Sequence, residues 1–434
     1  MQVISTQNLI TITAILAFLA AGAFFMANVT MPAESSYASG INVILFAIPA
    51  FWASKMWLGR RDAIFLFAVL GILALTIETS AIVTGFPYGH FGYSDLLGFR
   101  LFGYTPWTVA LAWTPLVLAA YAVVKRTVHT VVVRVILIAV LLVVFDMVID
   151  PGAVKLGFWR YEAGGPFYGV PVSNFTGWIF SGVLAAVLLE VFTFVRKPLL
   201  PAPAQLISSG FFIIFFWTAI AFFSGMLAPA LIGLGILGGL GVFYFKYHYT
   251  FDDMIVMVDE NNVPVGTERK LLAHNRNTKR HRAFSVFLFN SKGELLLQQR
   301  AFTKKTWPGV WSNSCCGHVM LHETVERAAN RRLKYELGVS GVDLTVVLPD
   351  FRYRAEKDDV VENEICPVLV GFLNREPRPN PSEAAAIRWV DWRSFVVEVA
   401  DPANGYSPWA LEEVELLARN VIFNELYNGV HTHS

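Results

Sequence analysis

Apolar residues fill the first 246 positions in long blocks, and beyond Lys246 the blocks give way to short alternating stretches. The blocks lie at about 8–29, 38–58, 63–85, 105–124, 131–149, 174–195, 207–225 and 227–245. Each is on the order of 20 residues, the length an α-helix needs to cross the hydrocarbon core of a bilayer. After Ile255 the periodicity changes. Ile255 to Val265 reads as strand, acidic turn, strand, and Ala283 to Arg300 as a hairpin turning at Asn290 to Gly293. Glu323 to Leu337 has helical apolar spacing and is closed by Gly338 at its C′ position. The expected architecture is multidomain: an all-α polytopic membrane domain of about eight transmembrane helices over residues 1–250, then a soluble α/β domain over 251–434.

Composition sharpens this division. A length of 434 residues predicts two or three domains, and a hydrophobic content of 55% exceeds that of soluble globular chains. Mean hydropathy is +0.51. The net charge of +1 offers no electrostatic case for a nucleic-acid partner. Lys55, Arg60 and Arg61, then Lys125, Arg126 and Arg134, then Arg196 and Lys197 flank alternate connections, which should therefore be cytoplasmic. Both termini and the soluble domain then face the cytoplasm of a multi-pass cell-membrane protein. Met1 to Asn8 carries no Lys or Arg, so the first block is not read as a cleavable signal peptide. All three cysteines, Cys315, Cys316 and Cys366, fall in the soluble half. The adjacent pair cannot form an ordinary disulfide, and a reduced compartment fits.

Charge inside the apolar blocks is the first chemical signal. Glu78, Asp146, Asp150 and Glu190 lie at depths where ionisation is costly, which makes intramembrane carboxylates functional candidates. Asp146 and Asp150 share one helix face at i and i+4. Two such carboxylates in low dielectric cannot both ionise easily, and a carboxylic acid kept neutral is a usable general acid. The bland alternative satisfies them with neighbouring Asn, Tyr or Arg. Glu190 can snorkel toward Arg196. The two long loops, about 86–104 and 150–173, mix Gly, Pro and aromatics and suggest segments folded back into the bilayer interface. Glu78, Ala112-Trp113, Asp146 with Asp150-Pro151, Gly157-Phe-Trp-Arg-Tyr161 and Gly169-Val-Pro-Val-Ser-Asn-Phe-Thr-Gly-Trp178 resemble the integral-membrane carotenoid biosynthesis proteins that include carotenoid hydratases. The resemblance implies protonation of a terminal isoprene double bond of an acyclic carotenoid and capture of the cation by water. Asp146 or Asp150 would supply the proton. A non-catalytic anchor or carotenoid-binding module is the alternative.

In the soluble half, Thr306 to His318 places a thiol, Cys316, one residue from an imidazole, His318, beside Trp307, Pro308 and Trp311. Read alone, the pair suggests a nucleophile and its base, or a buried structural cysteine. Gly317, Glu323, Arg331, Glu336 and Gly338 match the frame of the Nudix box, but Arg332 and Tyr335 stand where two metal-binding glutamates belong. An Arg there can bind a diphosphate rather than help to cut it.

Thr267-Glu-Arg-Lys-Leu-Leu-Ala-His274, His281-Arg-Ala-Phe-Ser285, Asn313-Ser-Cys-Cys-Gly-His318, Pro349-Asp-Phe-Arg-Tyr353, Glu362-Asn-Glu364 and Ser407-Pro-Trp409 together resemble the type 1 isopentenyl-diphosphate isomerases. The resemblance implies a Nudix-type α-β-α sandwich that converts isopentenyl diphosphate to dimethylallyl diphosphate. His274, His281, His318, Glu362 and Glu364 would bind one divalent metal, Mn2+ or Zn2+, and Glu336 would hold Mg2+. Lys270, Arg300, Lys304 and Arg332 would neutralise the diphosphate, while Lys305 reads as solvated surface. Cys316 and Glu364 would exchange protons with the alkene, Tyr353 assisting the carboxylate and Trp409 stabilising the cation. Val319 departs from the Pro usual after Cys-Gly-His, and Cys315 adds a second thiol. A Nudix diphosphate hydrolase is the alternative for this half.

Overall fold

A computed structural model describes residues 6–29 and 36–431. The chain divides into two compact units, Met1–Tyr249 and Thr250–Ser434. Met1 to Ser5, the larger part of the stretch read for a signal peptide, lie outside the described residues.

The first unit holds α1 (Thr6–Asn28), α2 (Ser36–Leu58), α3 (Arg60–Thr84), α4 (Val109–Thr127), α5 (Val131–Lys155), α6 (Val172–Arg196), α7 (Ile207–Phe223) and α8 (Leu227–Tyr247). Among the described residues, eight helices are long and apolar enough to cross a membrane. Two boundaries differ from the sequence reading. Helix α4 begins at Val109 rather than near 105, because Thr105–Pro106 (β3) pairs with Arg100–Leu101 (β2). Helix α5 runs through Pro151 to Lys155, so Asp150 belongs to the helix and not to the loop after it. The tight turn between α7 and α8 closes because Gly225 adopts φ +71°, a conformation costly for side chains with a Cβ. Glu190 does not reach toward Arg196. Arg134 Nε and Nη2 donate to it at 2.7 and 2.6 Å and Lys125 Nζ at 2.8 Å, while Arg196 lies 3.4 Å from Asp62.

The two long loops pair with each other. Phe91–Tyr93 (β1) and Trp159–Tyr161 (β4) form an antiparallel ladder that sets Tyr93 opposite Trp159 and Phe91 opposite Tyr161. Helices α5 and α6 approach closely at Gly182, where an added Cβ would lie 2.8 Å from the Ala139 backbone.

The second unit contains β5 (Met254–Val258), β6 (Pro264–Arg269), α9 (Lys270–Ala273), β7 (His281–Phe289), β8 (Glu294–Arg300), β9 (Trp311–Ser312) and β10 (Cys315–His318). Then follow α10 (Val325–Leu337), β11 (Leu344–Leu348), β12 (Arg352–Lys357), β13 (Val360–Ile365), β14 (Val368–Phe372) and β15 (Ala384–Asp391). The unit ends in α11 (Trp392–Glu398), α12 (Pro408–Arg419) and α13 (Val421–His431). Its sheet has β7 near the centre, parallel to β13 and β14 and antiparallel to β10. Alternation along β7 builds two cores. Phe284, Val286 and Leu288 meet Ala328, Ala329, Leu333 and Leu337 of α10, while Ala283, Phe287 and Phe289 meet Trp392, Phe395 and the α12 and α13 side chains. Helices thus cover both faces of the sheet, the α-β-α sandwich.

Gly182→Ala should destabilise the first unit by about 1–3 kcal/mol, the usual cost of overpacking. Gly235→Ala, whose added Cβ meets nothing within 4 Å, should leave it unchanged. Melting temperatures of the two variants in detergent would check this.

Candidate functional site

Strand register assembles a five-residue cluster in the second unit. On β13, Glu362 and Glu364 alternate onto one face. Glu364 stands opposite His281 at the start of β7, and His318 at the end of β10 stands opposite Ala283. His274 follows the short helix α9. The ligand atoms of His274, His281, His318, Glu362 and Glu364 all lie within 4.8 Å of one another. His274 Nδ1 is 2.8 Å from the Lys270 carbonyl and His281 Nδ1 is 2.9 Å from that of Lys279. Those contacts put the Nδ1 proton on the outside and leave an Nε2 lone pair facing in.

His274 Nε2 is 3.0 Å from Glu362, and Nε2 of His281 and of His318 are 3.3 and 3.4 Å from Glu364. Yet none of the three nitrogens, nor Glu362 Oε2, makes a hydrogen bond. Buried acceptors that converge without pairing fit a divalent cation, and three imidazoles with two carboxylates suit Zn2+ or Mn2+. Burial pushes Glu364 up, but the adjoining His281 and His318 outweigh it and hold the carboxyl well below the usual range. Burial lowers His281, and Glu364 more than reverses that, so its imidazole is held above its ordinary value. Burial keeps His318 well below its own.

Beside the cluster opens a cavity of about 280 Å3. Cys316, Glu364, Tyr353 and Trp409 line it, as do His274, His318 and Glu362. Tyr353 on β12 sits opposite Glu364 in register and donates its hydroxyl to Oε2 at 2.7 Å. Trp409, in the first turn of α12, is buried edge-to-face on Trp307 at 5.4 Å and donates Nε1–H to Ser312 Oγ at 3.0 Å. Cys316 Sγ donates to Asn313 Oδ1 at 2.9 Å, and burial raises its thiol far above the ordinary range. Cys315, its neighbour, is wholly buried against the α10 core.

Lys270, Arg300, Lys304 and Arg332 all line the same cavity, and so does Lys305, which sequence placed on the surface. Lys305 Nζ lies 3.3 Å from the His274 carbonyl. The cationic wall carries a carboxylate of its own, Glu383, which sequence reasoning missed. Glu383 pairs with Lys304 and, at 3.0 Å, with Arg332. Glu336 does not join the five-residue cluster: Arg332 Nε takes its Oε1 at 2.9 Å and Gln298 takes its Oε2 at 3.0 Å. Both oxygens already accept hydrogen bonds from Arg332 and Gln298, so an Mg2+ at Glu336 would have to share the carboxylate with those donors. Arg331 grips Glu323 through two 2.9 Å bonds and reaches the His318 carbonyl at 3.1 Å, tying α10 to the ligand loop.

The first unit has its own cavity, about 180 Å3, walled by Phe91, Trp113, Phe158, Trp159, Trp178, Phe216 and Trp217. Glu78 and Asp150 reach it; Asp146 does not line it. Tyr93 donates to Glu78 at 2.9 Å and Tyr161 to Asp150 at 2.6 Å. Asn174 bridges Asp146 and Asp150 at 2.7 Å each, and the other oxygen of Asp146 is buried without a partner. The β1–β4 ladder is what brings the two phenols to the two carboxylates.

Residues 38–240 match the family described as "Carotenoid biosynthesis protein", and residues 279–409 match the NUDIX domain. The second half is also similar to curated enzymes named isopentenyl-diphosphate Delta-isomerase. That of Saccharopolyspora erythraea is 46% identical over 163 residues, 37% of this chain and 84% of the relative. Those of Frankia alni and Klebsiella pneumoniae are each 43% identical, covering 38% and 37% of this chain and 84% and 88% of the relatives.

Metal retention should fall as pH drops through the histidine range, near 6.5, because protons compete for the same nitrogens. His281→Ala should lose metal at both ends of that range. Metal analysis after dialysis against Mn2+ or Zn2+ at pH about 5.5 and about 8 would check both.

Proposed function

The chain belongs to the isopentenyl-diphosphate Delta-isomerase family, and from that premise we propose that its second unit moves the double bond of isopentenyl diphosphate to give dimethylallyl diphosphate. The observation that carries this is the convergence of Cys316, Glu364 with Tyr353, and Trp409 on one cavity beside the histidine cluster. A divalent cation held by His274, His281, His318, Glu362 and Glu364 would supply positive charge that tunes the Glu364 carboxyl. Cys316 and Glu364 exchange protons with the alkene, one adding a proton and the other removing one elsewhere. Tyr353 keeps Glu364 oriented through its short hydrogen bond. Trp409 offers its π system to the tertiary carbocation, which has no counterion of its own. Lys270, Arg300, Lys304 and Arg332 face the diphosphate, with Glu383 the anion it must displace from Lys304 and Arg332. No step runs through a second cation at Glu336, although Mg2+ that arrives with the diphosphate would find Glu336 near.

The first unit is read as the carotenoid-modifying partner of this fusion, a hydratase of acyclic carotenoids. Asp150, hydrogen-bonded to Tyr161 inside an aromatic cavity, is the acid best placed for protonating a terminal alkene, and Glu78 with Tyr93 is the group best placed to orient water. Orientation with both termini cytoplasmic follows from the Lys and Arg distribution.

Product analysis of the intact protein tests both readings. Isopentenyl diphosphate should yield dimethylallyl diphosphate; release of phosphate without that product would instead support a diphosphate hydrolase. Cys316→Ala should slow isomerisation by roughly 10²–10⁴-fold with metal content intact, and Cys315→Ala should not. An acyclic carotenoid should yield a hydroxylated product that Asp150→Asn abolishes. No such product from wild type would leave the first unit an anchor or a binding module.

A further inference from the structure

Glu413 takes no part in the chemistry above, yet its position is costly. It lies on α12 one turn after Trp409, wholly shut from solvent, and neither carboxyl oxygen makes a hydrogen bond. Ser285 is the hydroxyl that bears on its ionisation, although no hydrogen bond between the two has ordinary geometry. Ser285 projects from the same side of β7 as Ala283 and Phe287, the side that α12 covers with Trp409, Ala410, Val414 and Leu417.

Ser285 also belongs to the polar chain behind the reactive thiol. Its Oγ accepts from Asn313 Nδ2 at 2.6 Å and lies 3.7 Å from Cys316 Sγ. The Asn313 amide cannot turn over. Its nitrogen also reaches the carbonyls of Val286 and Cys315 at 3.1 and 3.2 Å, so its oxygen is the acceptor for the Cys316 thiol and the Ser312 hydroxyl. One choice is left open, the direction of the single Ser285 proton. A carboxylate at Glu413 would draw that proton to itself. A carboxylic acid would donate to the second lone pair of Ser285 and turn the serine proton toward sulfur. Burial, with Glu364 and Glu412 adding in the same sense and only Ser285 opposing, raises the Glu413 carboxyl well above its usual range and favours the acid.

We propose that Glu413 is a positioning residue for Cys316, its carboxyl donating to Ser285 Oγ and so aiming the Ser285 hydroxyl at the sulfur. This rests on the isomerase reading, in which Cys316 exchanges a proton with the substrate. An O–H directed at sulfur supports it whenever the thiol proton has moved to the alkene. The arrangement also explains why a buried carboxyl survives at a place where an apolar side chain would pack at lower cost.

The test is steady-state isomerisation of isopentenyl diphosphate by the full chain in detergent, with wild type, E413Q, E413M, S285A and the E413M/S285A double variant. E413M and S285A should each lower kcat about tenfold, the worth of one hydrogen bond, with KM unchanged. The double variant should be no slower than S285A alone, because both changes break the same chain. E413Q, which keeps an N–H donor, should retain most of kcat. E413M should melt no lower than wild type, since it puts an apolar side chain where a buried carboxyl is costly, and that separates orientation from a structural defect. Wild-type kcat in E413M, losses that add in the double variant, or E413Q as slow as E413M would overturn the proposal. Should E413M not fold, S285A alone still decides it, because unaltered kcat in S285A overturns the chain. An inactive wild type overturns the isomerase reading and this inference with it, whereas an active wild type with unaltered variants overturns this inference only.

Discussion

A carboxylate taken out of water must be matched by a proton, a cation or converging donors, because an unmatched buried charge is among the costliest defects a fold can carry. This chain answers the requirement differently at each place. Glu190 is matched by Arg134 and Lys125, and Glu336 by Arg332 and Gln298; both are closed pairings in which each carboxyl oxygen accepts from a protein donor. Glu362 and Glu364 face imidazoles whose inner nitrogens make no hydrogen bond, so the match is left for a cation to complete. Glu78 and Asp150 meet phenols at the wall of an aromatic cavity, an arrangement that leaves part of each carboxyl facing the open space. The closed pairs hold the fold together. The open ones are the places where chemistry can enter.

Much of this was legible in the sequence, and the reason is that its signals are local. Block length and hydropathy located eight helices, and the i, i+4 spacing of Asp146 and Asp150 set them on one face. The alternation of Glu362 and Glu364 put two carboxylates on one side of a strand, and Gly338 marked the end of α10. What escaped was decided by register between distant segments. Nothing near Glu383 in sequence says that it will reach Lys304 and Arg332, and Glu413 looks like an ordinary charge on an amphipathic helix until α12 lies against Ser285. The same holds for Glu190, whose partners came from α4 and α5 rather than from its own helix. Sequence places Lys305 in solvent because a lysine in a loop usually is solvated. The turn that carries it bends over the cavity instead.

The membrane-type unit shows how a short piece of sheet can organise a bundle of helices. Loops rich in Gly, Pro and aromatics read as interfacial anchors, yet Phe91–Tyr93 and Trp159–Tyr161 pair with each other and deliver one phenol to α3 and another to α5. Precision at that cavity therefore depends on a ladder of three residue pairs, while the helices supply the carboxylates. Asn174, at the start of α6, closes the set by bridging Asp146 and Asp150.

Glu383 gives the cationic wall an occupant before any ligand arrives. Lys304 and Arg332 already face tethered carboxylates, Glu383 beside both and Glu336 beside Arg332, so an incoming anion gains only the difference between its own attraction and the one it replaces. A singly charged group offers little more than Glu383 does, whereas a diphosphate brings several charges and many acceptor oxygens. The tethered carboxylate thus acts as a threshold on valence, turning away weak anions through competition rather than through shape. It also keeps the emptied wall from repelling itself, since Lys270, Lys304 and Arg332 would otherwise crowd like charges together.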